Sequence, residues 1–142
     1  MSKKVELQIT AAAIIVNHGK ALIIQRNKDE EIYPALWELP SGKKENFETI
    51  EKALAREVKE ETGLKTKVGD IVSTFSYLVK KKDKIKDCVQ INFKCQLIGE
   101  RKCVTLSTEH QAYAWISRKN ISKFHISNKT KKVLLATLKT QN

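Results

Sequence analysis

The chain has 142 residues, 41% hydrophobic and 30% charged, with few Gly and Pro, an ordinary globular composition that can build one domain, residues 1–142, around a proper core. No apolar run approaches the ~20 residues a membrane-spanning helix needs, and MSKKVELQ lacks the apolar stretch of a secretory signal, so a cytoplasmic protein is expected. The net charge of +11 favours an anionic partner, yet few aromatics interleave with the lysines, so a stacking platform for single strands is not evident.

In chain order, residues 7–16 (LQITAAAIIV) read as a strand, Asn17-His18-Gly19-Lys20 as a hairpin turn, and 21–26 (ALIIQR) as the return strand. Pro34 breaks a loop, a short WEL strand ends at Pro40, and Ser41-Gly42 reads as a turn. A helix follows over about 47–62, with Asn46 as N-cap and Gly63 as the C′ residue, closed by Leu64. Residues 67–79 and 88–98 read as two long strands joined by an exposed, Lys-rich loop at 80–87. AYAWI at 112–116 is a further strand, and a last helix covers roughly 129–139. Strands on either side of a helix, then a closing helix, predict a mixed sheet packed by helices. Three cysteines, Cys88, Cys95 and Cys103, cannot all pair within the chain and form no CxxC, so reduced thiols are expected, with Cys95 buried.

The first helix poses a chemical problem. Phe47, Ile50, Leu54 and Val58 build an apolar face, and the same face then receives Glu57 and Glu61, with Glu60 on its shoulder. Clustered carboxylates repel, and desolvation raises their pKa values. A hard divalent cation, Mg²⁺ or Mn²⁺, resolves the conflict, because it takes carboxylate, phosphate and water oxygens. Arg56 supplies a fixed cation that can orient a neighbouring carboxylate.

Counting from Gly42, the spacing is G-x5-E-x7-R-E-U-x-E-E-x-G-U, with U apolar, filled by Gly42, Glu48, Arg56, Glu57, Val58, Glu60, Glu61, Gly63 and Leu64. This run resembles the Nudix box, the signature of the Nudix hydrolase family. The hairpin before it, W-E-L-P-S-G leading into it, and the strands and helix after it are similar as well.

The resemblance implies an α/β fold, an α/β/α sandwich around a mixed sheet, and hydrolysis of a nucleoside diphosphate linked to another group. It implies Glu57, Glu60, Glu61 and the Ser41 carbonyl as metal ligands, Mg²⁺ as cofactor with Mn²⁺ as a substitute, and Glu48 and Arg56 as supports, Arg56 orienting Glu57. Ser41 departs from the Gly that many relatives carry there. Two candidates stand for the general base, Glu57 and Glu109, with His110 beside the latter in what reads as a loop.

Similarity to the MutT-like branch points to a nucleoside triphosphate, oxidised forms included, cleaved to monophosphate and pyrophosphate. There Arg26 meets phosphate, Glu38 precedes the box turn, and Asn128 reads the base; the alternative for Asn128 is a cap on the last helix. Two other readings stand: a pyrophosphohydrolase of RNA 5′ ends or dinucleoside polyphosphates, and a non-catalytic nucleotide-sensing domain. A nucleotide is the expected partner, with RNA less favoured, no membrane, and a monomer or homodimer as the assembly.

Overall fold

The computed structural model describes residues 3–100 and 103–138. In chain order its elements are β1 (Lys4–Asn17), β2 (Lys20–Arg26), β3 (Trp37–Glu38), β4 (Ser41–Lys43), α1 (Ile50–Thr62), β5 (Thr66–Lys80), β6 (Lys84–Leu97), β7 (His110–Ile116), a 3-10 helix (Arg118–Lys123) and α2 (Asn128–Thr137). None of the described helices is long and apolar enough to cross a membrane.

β1 organises the sheet. One edge of it pairs in parallel with β6, from Lys4↔Lys84 to Ile15↔Cys95. Its other edge is shared, with β4 opposite Thr10–Ala12 and β2 opposite Val16 and Asn17. β5 lies antiparallel outside β6, and β2 carries β3 and β7. The β1–β2 turn places His18 at φ 52° and Gly19 at φ 75°. Two successive positive φ values suit a tight hairpin turn whose twist matches that of the strands.

The run AAAIIV is apolar without alternation because both faces of β1 are covered. Ala11, Ala13 and Ile15 join Leu22, Ile24 and Phe93 beneath Leu54 and Val58 of α1. Ala12 and Ile14 join Ala21, Ile23 and Ile116 beneath Val133 and Leu134 of α2. The period of two thus divides consecutive residues between two cores, giving the α/β/α sandwich around a mixed sheet that the sequence predicts. Leu54 and Val58 are fully buried, and each contributes about 1.5–3 kcal/mol to fixing α1 on the sheet.

The ends of α1 differ in how well the sequence announces them. Gly63 closes it at φ 74°, its N–H donating to Lys59 O, as expected. The start lies three residues later than expected. Thr49, not Asn46, is the N-cap, its hydroxyl accepting from Lys52 N. Phe47 therefore precedes the helix; it sits at φ 67° and is fully exposed rather than on the buried face. Ile50 does pack against the core as expected.

Other boundaries also shift. Ser41 and Gly42 form a strand, not a turn, because they hydrogen-bond along β1. β5 and β6 extend further than expected, so the connection shrinks from 80–87 to residues 81–83. Ser127, not Asn128, caps α2 by accepting from Thr130 N. The last helix ends at Thr137; the expected continuation to 139 lies outside the described residues. The 3-10 helix was not foreseen. All three cysteines are free, Cys88 and Cys95 buried, and burial pushes the Cys95 thiol up to about 12.

Candidate active site

α1 lies with its second half over β4, and this crossing builds the site. Glu61 is buried and accepts from Ser41 N at 2.8 Å. Glu57, one turn earlier, passes directly over Gly42. A Cβ on Gly42 would meet Glu57 Cγ and Cδ at 2.1 Å, so the glycine leaves the space that the carboxylate arm occupies. Gly42 is not among the positive-φ glycines, so the need here is for space alone.

Arg56 organises the outer side. Its Nη2 donates to Glu48 Oε1 at 2.7 Å and its Nη1 to Glu57 Oε1 at 2.9 Å, with Glu60 Oε1 at 3.4 Å. Glu48 is anchored in turn by Glu45 N at 2.8 Å. Arg56 first, then this backbone donor, holds the Glu48 carboxyl below its ordinary range. Hydrogen bonding to Glu48 raises the Arg56 guanidinium above its ordinary value, so it is a permanent cation.

The inner carboxylates are less well compensated. Burial pushes Glu61 up to about 9, against the pull of Ser41 N–H, and the charges of Glu38, Glu57 and Glu109 add to the rise. Burial also raises Glu57, against the pull of Arg56, with Glu60 and Glu109 adding to it. Three acidic side chains, Glu38, Glu57 and Glu109, therefore act on Glu61 in the cleft. Among the described residues no three His, Cys, Asp or Glu side chains converge as a metal cage, and Arg56 stands between Glu48, Glu57 and Glu60. The donor chemistry nonetheless fits a hard divalent cation: a buried carboxylate with no ion-pair partner among the described residues, beside further carboxylates.

A second cluster lies where β2, β3 and β7 meet. Arg26 Nη1 is 3.5 Å from Glu38 Oε2, its Nη2 is 3.8 Å from Glu30, and its Nε donates to Ile32 O at 3.0 Å. His110 Nε2 lies 2.8 Å from the same Glu38 oxygen. The His110 side chain is 1% exposed and opens β7, so it is not the loop residue the sequence suggests. Its Nδ1 is buried without a hydrogen-bond partner among the described residues. Glu109 precedes it, exposed, with its carbonyl accepting from Asn27 N at 3.0 Å.

Both clusters open into one cleft of about 560 Å³, which Arg26, Glu38, Ser41, Gly42, Glu61, Glu109 and Asn128 all line. Because Ser127 provides the cap, Asn128 is exposed in the first turn of α2 with its amide free of capping duty. The cleft also has a wall that sequence reasoning missed, made by Gln8 of β1, Phe75 and Tyr77 of β5, Gln90 of β6 and Lys129 of α2. Lys129 Nζ lies 5.7 Å from the Phe75 ring centroid and donates to Ser76 O. The strand alternation carried this signal: Phe75 and Tyr77 are two apart, and Gln90 stands opposite Phe75.

A helix bearing buried carboxylates across a glycine strand, on an α/β/α sandwich, is the arrangement of a phosphoanhydride hydrolase. A family model, the NUDIX domain, matches residues 6–138, and the chain belongs to that family. It is a Nudix pyrophosphohydrolase of MutT-like type, and this family generally uses a divalent metal. The chain is 30% identical over 129 residues to the nucleoside triphosphatase NudI of Escherichia coli, covering 85% of this chain and 89% of that protein. It is similar in structure to a MutT protein from Methanosarcina mazei, with a TM-score of 0.77, 27% identity and 94% of each chain covered. The E. coli ORF135 protein is also similar, at a TM-score of 0.65 and 27% identity, with 92% of this chain and 87% of that one covered.

Proposed function

We propose that this chain, as a single Nudix domain acting in the cytoplasm, hydrolyses a (deoxy)nucleoside triphosphate to the monophosphate and pyrophosphate, with Mg²⁺ as cofactor and Mn²⁺ as a substitute. The observation that carries the reading is the set of carboxylates around Glu61, in one cleft with Arg26 and Asn128. Likeness to a nucleoside triphosphatase and to a MutT protein supports the choice of substrate.

Glu57, Glu60, Glu61 and the Ser41 carbonyl would hold the cation. When bound, it supplies Lewis-acid neutralisation of the diphosphate and a more acidic water. The protein's own groups do the rest. Ser41 N–H fixes Glu61, and Arg56 fixes Glu57 through Oε1. That leaves Glu57 Oε2 beside Gly42 to take the proton from the attacking water, a task its raised pKa suits. Glu109, at the rim, adds the negative charge that keeps Glu57 basic. Arg26 meets the phosphates. Asn128, presenting both donor and acceptor, reads the base edge.

A panel of the common and oxidised nucleoside triphosphates, dinucleoside polyphosphates, nucleotide sugars and capped RNA, incubated with Mg²⁺, tests this. Equal amounts of monophosphate and pyrophosphate from a triphosphate are expected. Turnover confined to another class would overturn the substrate assignment, and no turnover on any of them would count against the whole reading.

A further inference from the structure

The loop between β2 and β3, residues 27–36, is held in a conformation that its own residues disfavour. Tyr33 sits at φ 50° and Ala35 at φ 60°. Neither is a glycine, and a bulky residue at positive φ is an outlier. Tyr33 also precedes Pro34, whose ring pushes the residue before it towards extended backbone. Strain of this kind persists only where the surrounding structure fixes it, and it gathers at ligand clamps.

The fixing bonds lie on both sides of Tyr33. Arg26 Nε donates to Ile32 O at 3.0 Å, and Gln25 Nε2 to Ala35 O at 3.1 Å. Ala35 N donates to Asn27 O and Leu36 N to Tyr33 O, each at 3.3 Å. All of them grip backbone, and the Tyr33 side chain is left out. Tyr33 is 50% exposed, yet it lines the cleft. Its hydroxyl has no hydrogen-bond partner and its ring no aromatic or cationic contact among the described residues. Nothing that the side chain touches within the chain therefore offsets the strain. The loop is also tied to both ends of the nucleotide site. The guanidinium that grips Ile32 O reaches Glu38 with Nη1, at 3.5 Å. Just past the loop, Trp37 N donates to His125 O at 2.9 Å, and Trp37 bridges Ile126, two residues before Asn128.

We infer that Tyr33 is a stacking residue for the base of the bound nucleotide, its ring covering the base whose edge Asn128 reads. The inference deepens the nucleotide reading above and rests on it. An unpartnered ring at the mouth of a nucleotide cleft is met by the flat face of a base, and a purine offers more of that face than a pyrimidine. A ring already held in place loses little freedom when the base arrives, which is what the bonded loop provides. The hydroxyl, having no partner, adds nothing to this role.

Equilibrium titration in the presence of Mg²⁺ tests this apart from turnover. The probes are guanosine 5′-monophosphate, cytidine 5′-monophosphate and ribose 5-phosphate, which lacks a base. Tyr33→Leu should weaken the guanosine compound about tenfold and the cytidine compound less, and leave ribose 5-phosphate unchanged. Tyr33→Gly removes the ring and the backbone strain together and should show the same pattern. Tyr33→Phe keeps the ring and should keep the parent affinities. Nucleotide affinity that survives loss of the ring, an equal loss for ribose 5-phosphate, or a Tyr33→Phe protein as weak as Tyr33→Leu overturns the assignment. A failure of the triphosphatase assignment shows up separately, as absent turnover with the contrast between probes intact. Absence of binding by any probe overturns both.

Discussion

The contact between Gly42 and Glu57 allows a sharp test. In Gly42→Ala, the new Cβ is built 2.1 Å from both Glu57 Cγ and Cδ. Carbon atoms in ordinary contact sit about 3.5–4.0 Å apart, so the arm must retreat by about 1.5 Å. The backbone at 42 has no positive φ, so the substitution adds no conformational strain of its own. Glu57 is half-buried and can swing outward, so the stability cost stays near the low end of the about 1–3 kcal/mol typical of overpacking. The site is affected more. The movement breaks the 2.9 Å bond to Arg56 and takes Oε2 from beside Gly42. A misplacement of about 1 Å at a reacting group costs about 100-fold in rate. Pyrophosphate release measured alongside thermal unfolding should therefore show kcat down about 100-fold with a small loss of stability. A kcat within threefold of the parent protein would refute the claim that Glu57 is a reacting group held by this contact.

Other expectations follow from the same geometry. His110→Ala removes a buried partner of Glu38 and should cost about 2 kcal/mol of stability. KM should rise more than kcat falls, while His110→Gln, which keeps a donor, recovers part of both; equal KM values in all three proteins would exclude a role in positioning Glu38. In protein stripped of metal, burial pushes the Glu61 carboxyl up to about 9, above its ordinary value of 4.5. Its contribution to stability is therefore fully present below about pH 4.5 and is lost as pH rises towards and through 9. Glu61→Gln should flatten that slope in melts with EDTA, and Mg²⁺ should flatten it in the unsubstituted protein; identical slopes in the presence and absence of the carboxylate would contradict the burial argument.

The parts that could be read from the sequence are those fixed by local spacing. Leu54, Val58, Glu57 and Glu61 share a helix face by simple periodicity, and Gly63 ends the helix because only a left-handed residue closes it there. The start of α1 misled because Asn46 resembles a cap and Phe47 extends the stripe. Thr49 has the cap geometry instead, and Phe47 is left in solvent. His110 was hidden for a different reason: its partner Glu38 is 72 residues away in sequence. The wall of Phe75, Tyr77 and Gln90 depends on which face of β5 and β6 meets α2. Alternation says that two faces exist but not what each one meets.

The central claim is that carboxylates on α1 carry a metal-dependent attack on a phosphoanhydride. Replacing Glu61 by Gln tests it most directly, because the change keeps the shape and the bond from Ser41 N while removing the charge. In the pyrophosphate-release assay with Mg²⁺, turnover of the triphosphate should fall by orders of magnitude while the melting transition is retained. Near-normal turnover by Glu61→Gln would contradict the account.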